Sequence, residues 1–70
     1  MTPKRLKELI KRKAIIYWCD NGMSFKLNDK CFIKGNELYW FEEDFVDNDW
    51  VFDLEEIFET KEEALNYRGE

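Results

Sequence analysis

Residues 14–28, AIIYWCDNGMSFKLN, read as two short strands around a tight turn, and the rest of the chain organises around them. Asn21-Gly22 supplies the two positive-φ positions that a type I′ hairpin turn requires. With that dipeptide at the centre, Asp20 faces Met23, Trp18 faces Phe25 and Ile16 faces Leu27. Residues directly opposite in an antiparallel pair share a face. One face therefore collects Ala14, Ile16, Trp18, Met23, Phe25 and Leu27, and the other Ile15, Tyr17, Cys19, Ser24, Lys26 and Asn28. Turn chemistry and polarity specify the same pairing, and a one-residue slip would exchange the faces.

A second hairpin is predicted around Gly35-Asn36, where Gly at the first central position suits a type II′ turn. Lys34 then faces Glu37, Ile33 faces Leu38, Phe32 faces Tyr39 and Cys31 faces Trp40. Cys31, Ile33, Leu38 and Trp40 make the apolar face. Upstream, TPKRLKELIKRK opens with Thr2 as an N-cap and Pro3 at the first helical position, where its missing N–H costs nothing. Leu6, Leu9 and Ile10 recur at helical spacing. Lys11, Arg12 and Lys13 crowd the last turn, where positive charge suits the helix dipole.

Downstream, EEDFVDND reads as a loop or bend and WVFDL as a strand, with Trp50, Phe52 and Leu54 inward and Val51, Asp53 and Glu55 outward. Thr60 with Glu63 forms a T-x-x-E capping box that starts a short helix, KEEALNY, with Gly69 as its stop. The predicted fold is α+β, a single domain over 1–70. It has an N-terminal helix, a four-stranded antiparallel meander (open or partly curled) and a short C-terminal helix.

A chain of 70 residues buries only about 60% of the surface its unfolded form exposes. Here the deficit is met by aromatic content, 17% of the residues, each ring burying roughly 150–250 Å². No apolar run approaches the ~18–20 residues of a membrane span, and AIIYWC is too short for a signal-peptide core. The expected location is the cytosol. Two cysteines without any histidine cannot complete a tetrahedral structural zinc site in one chain. Two reduced thiols are expected, Cys31 in the core and Cys19 off the core face.

No enzyme is expected. Without histidine, acid–base chemistry would fall to carboxylates, Tyr, Lys or Cys, and no carboxylate pair stands out as sequestered. There is no phosphate-binding Gly-rich loop, and no cofactor is implied. Asp47, Asp49, Asp53 and Glu55 have spacings that suit Ca²⁺, but an EF-hand needs Gly at its sixth position and Glu at its twelfth. Counted from Asp47 those positions hold Phe52 and Phe58, so no metal is expected.

Charge is the most distinctive feature. Net charge is −5, yet residues 1–41 carry nine Lys/Arg against four Asp/Glu, and residues 42–63 carry eleven acids against Lys61 alone. The six positive residues Lys4, Arg5, Lys7, Lys11, Arg12 and Lys13 read as the solvated face of the first helix, since overall acidity opposes direct nucleic-acid binding. For solubility alone, interspersed charge would serve with less self-repulsion. Carboxylates at alternate positions of a strand lie about 6.7 Å apart, within a Debye length of about 8 Å, so their potentials add. In sign and pitch such a line resembles a phosphate backbone.

The ending IFETKEEALNY, hydrophobic-x-T-x-E-E-A, is similar to the strand-then-helix ending of small accessory proteins of bacteriophages and mobile elements. The basic starter helix, aromatic strands and acidic end resemble those families as a whole. Some inhibit host defences, and several anti-CRISPR proteins among them are acidic DNA mimics. The resemblance implies a non-enzymatic inhibitor that blocks a basic nucleic-acid-binding host protein, with no direct nucleic-acid or membrane partner. The expected contact residues are Glu42, Glu43, Asp44, Phe45, Asp47, Asp49, Trp50, Asp53, Glu55, Glu56 and Glu59, with Phe45 and Trp50 as apolar anchors. The alternative is self-association, the Lys4–Lys13 helix of one copy meeting the acidic belt of another.

Overall fold

The computed structural model describes residues 1–42 and 50–67. Helix α1 runs Pro3–Lys11, followed by strands β1 (Ile15–Trp18), β2 (Ser24–Lys26), β3 (Phe32–Lys34), β4 (Glu37–Trp40) and β5 (Trp50–Asp53). A 3-10 turn, Leu54–Glu56, leads into β6 (Ile57–Phe58) and helix α2 (Lys61–Asn66). The fold is α+β as expected. The four-stranded meander is not what forms: the described strands make two three-stranded antiparallel sheets, ordered β2-β1-β6 and β3-β4-β5.

Two local features break the meander. Asn28, placed by alternation on the outer face, is instead buried. Its side-chain amide donates to the Phe41 carbonyl (2.8 Å) and its oxygen accepts from the Lys30 N–H (2.9 Å). This Asx turn redirects the chain after β2 into the second sheet. In addition, the outer edge of β1 is occupied by β6, where Tyr17 faces Phe58 and Trp18 faces Ile57.

The second hairpin forms in the predicted register, Phe32 with Tyr39, Ile33 with Leu38 and Lys34 with Glu37. Gly35 has the positive φ (61°) that its turn demands. In the first hairpin Asn21 and Gly22 both adopt positive φ (60° and 63°) and the Met23 N–H bonds the Asp20 carbonyl, so the turn is where Asn-Gly put it. The strand pairing, however, is offset. Ile16 faces Phe25, not Leu27, and the Trp18 N–H donates to the Met23 carbonyl (2.8 Å). Cys19 and Asp20 are looped out of the β1–β2 ladder, and the Cys19 N–H bonds the Glu56 carbonyl beside β6 (2.9 Å). Because the offset is two residues, side chains keep their faces. Ile16, Phe25 and Leu27 all reach the core, while Met23, at the strand end, is exposed.

The two sheets meet through rings. Trp18 packs edge-on to Phe52 (centroids 5.4 Å), and Phe25 lies 4.8 Å from Phe52 and 5.1 Å from Trp40. The Trp40 indole N–H crosses to the Lys26 carbonyl (2.9 Å). Leu6 and Leu9 of α1 close the core with Leu27, Leu38, Leu54 and Ile57, and Cys31 joins it as expected. Of the residues predicted to face inward there, Phe52 of β5 and Leu54 of the 3-10 turn are buried, whereas Trp50 is 42% exposed. Helix α1 starts as predicted, with Thr2 Oγ1 accepting the Arg5 N–H (3.2 Å). At the start of α2, Thr60 Oγ1 accepts the Glu63 N–H (3.2 Å) and donates to the Glu63 carboxylate (3.0 Å). Gly69 lies outside the described residues.

Helix α1 ends in a Schellman arrangement, with Lys13 N–H to the Ile10 carbonyl and Ala14 N–H to the Leu9 carbonyl, both 3.0 Å. The residue at its left-handed position is Lys13 (φ 54°) instead of glycine. The long, exposed contact of Lys13 with Asp29 (3.8 Å) offsets little of that strain. Lys13→Gly should therefore stabilise the protein by about 1 kcal/mol, a rise in Tm of roughly 4–8 °C for a chain this size; an unchanged or lower Tm would contradict the cap assignment. The two turn glycines should differ from each other. A Cβ at Gly22 would lie 3.0 Å from Lys61 Cγ and 3.2 Å from Leu65 Cδ2 of α2, while one at Gly35 meets nothing within 4 Å. Gly35→Ala should cost only the left-handed penalty of about 1–2 kcal/mol, and Gly22→Ala clearly more. Equal losses in denaturant titrations would mean that α2 does not rest on the hairpin turn.

Candidate protein-interaction surface

The predicted contact residues divide into three groups. Glu43, Asp44, Phe45, Asp47 and Asp49 lie outside the described residues. Glu42, beyond the end of β4, is exposed. The remaining acids separate onto two sides of the chain's last third, because the 3-10 turn interrupts the strand between Asp53 and Ile57.

On one side stands Glu59. Its carboxylate takes two parallel hydrogen bonds from Arg5, Nη2 to Oε1 at 2.8 Å and Nε to Oε2 at 3.1 Å, and Arg5 also reaches Glu8 at 3.1 Å. Arg5 holds the Glu59 carboxyl below its ordinary value, and Glu59 in turn raises the guanidinium. The pair is solvent-exposed, so its contribution to stability is small, but it tethers the chain's two ends in a bidentate geometry. Basic helix and acidic belt thus meet within one chain at this point.

On the other side, Asp53, Glu55 and Glu56 gather near Tyr67. Asp53 ends β5 directly opposite Glu37 of β4, a like-charge pairing that costs stability. Glu55 is exposed on the 3-10 turn, and the half-buried Glu56 accepts the Cys19 thiol hydrogen (Sγ to Oε2, 3.6 Å). The Tyr67 hydroxyl is pushed above its ordinary range by partial burial and then by Glu56, Cys19, Glu55 and Asp53. Its ring packs on Phe58 (5.6 Å). The Cys19 thiol is likewise raised, first by burial and then by Glu56 through charge and hydrogen bond, with Asp20 adding to it. Burial leads both shifts, and the neighbouring carboxylates add to each.

Trp50 does not stand alone as an anchor. Its ring stacks on Phe52 (6.0 Å, 1° between planes) and lies 5.7 Å from Trp18. Val51, its neighbour on the opposite face of β5, is exposed. Two participants were not singled out from sequence. Glu37 joins the patch only because β5 pairs with β4, and Tyr67 only because α2 folds back toward β6; the sequence carries no direct signal for either.

Among the described residues no group of three or more His, Cys, Asp or Glu side chains is arranged to hold a metal ion. No helix among them is long and apolar enough to cross a membrane. No protein-family model matches the chain, and no curated protein and no solved structure is significantly similar to it.

Thiol chemistry reports on the patch directly. A group whose ionisation is raised in the folded state contributes stability below its unfolded value and loses it as pH rises through the folded one. Both Cys19 and Tyr67 are of this kind, so Tm should fall as pH climbs above the ordinary thiol value of about 8.5. The alkylation rate of Cys19 in the native protein should show an apparent pKa above that of the denatured chain, and Glu56→Gln should lower it. An alkylation profile indifferent to Glu56→Gln would remove Glu56 from the thiol's surroundings.

Proposed function

We propose that this chain is a non-enzymatic binding module that presents its carboxylate patch to the basic surface of a nucleic-acid-handling protein, occupying the place of the nucleic acid. In this reading it acts in the bacterial cytosol as a phage-type inhibitor of host defence, with a CRISPR effector as one such target. The observation that carries the proposal is the gathering of Asp53, Glu55 and Glu56 near Tyr67, where their charge adds to burial in raising the phenol, as Glu56 does for the neighbouring Cys19 thiol. Carboxylates merely scattered for solubility would not share a focus, and the repulsion between Glu37 and Asp53 is tolerated where mixed charge would have avoided it. Patches of this sign steer association with basic partners and set its salt dependence. Self-association through α1 is the weaker reading, because Arg5 is already engaged by Glu59 and Glu8 of its own chain.

The test is displacement of a fluorescent DNA duplex from purified basic nucleic-acid-binding proteins, CRISPR effectors included, at two salt concentrations. The wild-type chain should displace the duplex from its target, more weakly at high salt. Asp53→Asn, Glu55→Gln and Glu56→Gln combined should slow association by an order of magnitude or so and flatten the salt dependence while preserving the fold. Undiminished displacement by the triple variant would reduce the patch to a solubilising coat.

A further inference from the structure

We infer that the groove between α1 and β3 is a docking site for an extended acidic peptide with a large apolar side chain. The groove has a volume of about 360 Å³ and is lined by Lys7, Ile10, Lys11, Cys31, Phe32 and Ile33. Its chemistry is opposite in sign to the carboxylate patch, and it uses none of that patch's residues.

Three features specify the occupant. The first is a strand edge. β3 is the outer strand of its sheet, and the two-residue turn makes Lys34 and Glu37 the first hydrogen-bonded pair of the hairpin. Pairs alternate along an antiparallel ladder, so Ile33, opposite Leu38, directs its N–H and C=O away from β4. An added strand satisfies such groups with its own backbone; a nucleic acid has no equivalent pattern to offer. The second is apolar lining: Ile10 and Ile33, and, on the opposite face of β3, Phe32, which is 45% exposed despite stacking on Tyr39 (4.9 Å, 4°). An apolar side chain from the added strand covers this lining. The third is charge. Lys7 and Lys11, both exposed, are four positions apart on α1, with Cβ atoms about 5–6 Å apart. Carboxylates at alternate positions of a strand repeat at about 6.7 Å, so two acidic side chains of the bound strand match the two ammonium groups.

The experiment is a fluorescence-anisotropy titration of the full chain with a short labelled peptide in which Glu alternates with Val around a central Phe. Saturable binding is expected. It should weaken about tenfold or more with Lys7→Gln plus Lys11→Gln, and similarly when alternate peptide amides are N-methylated. Lys61→Gln, on α2, should leave it unchanged. Failure to saturate, or equal binding of the N-methylated peptide, would overturn the strand-addition model. Preferential binding of a labelled single-stranded oligonucleotide would overturn it too, as would concentration-dependent dimerisation abolished by the lysine changes, since either gives the groove to another occupant. Asp53→Asn, Glu55→Gln and Glu56→Gln should not alter the peptide titration, so this site and the carboxylate patch stand or fall separately.

Discussion

The contact of Trp18 and Phe25 with Trp40, Trp50 and Phe52 is what joins two three-stranded sheets into one protein. Neither sheet has enough apolar area to stand alone, since two or three short strands need a second layer against their hydrophobic face. Five rings in edge-on, tilted and stacked contact supply that layer at high area per residue, with a further gain of about 0.5–1.5 kcal/mol per well-oriented pair. The aliphatic residues Leu6, Leu9, Leu38 and Ile57 fill the space beside the rings. The exposure of Trp50 follows from its place at the border of this cluster. The same indole is part of the fold and part of the surface next to the carboxylates.

Much of this was legible in the sequence wherever the information was local. Asn21-Gly22 and Gly35 announced their turns, Thr2 and Thr60 their helix starts, and alternation assigned Ile16, Phe25, Leu27, Ile33 and Leu38 to the correct faces. What could not be read was long-range. The backbone bond between Cys19 and Glu56, at the offset end of the first hairpin, joins residues with no shared local pattern. Asn28 looks like any turn-forming polar residue, and its burial depends on the Phe41 carbonyl being brought to it by the second hairpin. The partition of the acids has the same origin. Composition showed that carboxylates crowd the later part of the chain, but only the fold separates Glu59, held by Arg5, from the group around Tyr67.

Charge and architecture are therefore linked. The 3-10 turn lets Leu54 and Ile57 both enter the core while Glu55 stays outside and Glu56 turns toward Cys19. A continuous strand would have carried Asp53, Glu55 and Ile57 on one outer face, with the apolar side chain stranded among the acids. The kink resolves that conflict and gathers the negative groups into one focus. On the opposite flank, the lysines of α1 line the open edge of β3, where charged residues also discourage indiscriminate strand pairing.

The position of β6 against β1 has a consequence for how the chain acquires its structure. The first sheet is finished by a segment that arrives last, since the Cys19 thiol and its Glu56 acceptor are separated by 37 positions. In a chain emerging from the ribosome, the early hairpin waits with one flank of its central strand unsatisfied until the whole second sheet has been made. Closing so wide a loop is entropically costly before any contact repays it, so this one distant pairing forms more slowly than the three pairings between consecutive described strands. The interval leaves a transient, hydrophobic strand edge open to other molecules.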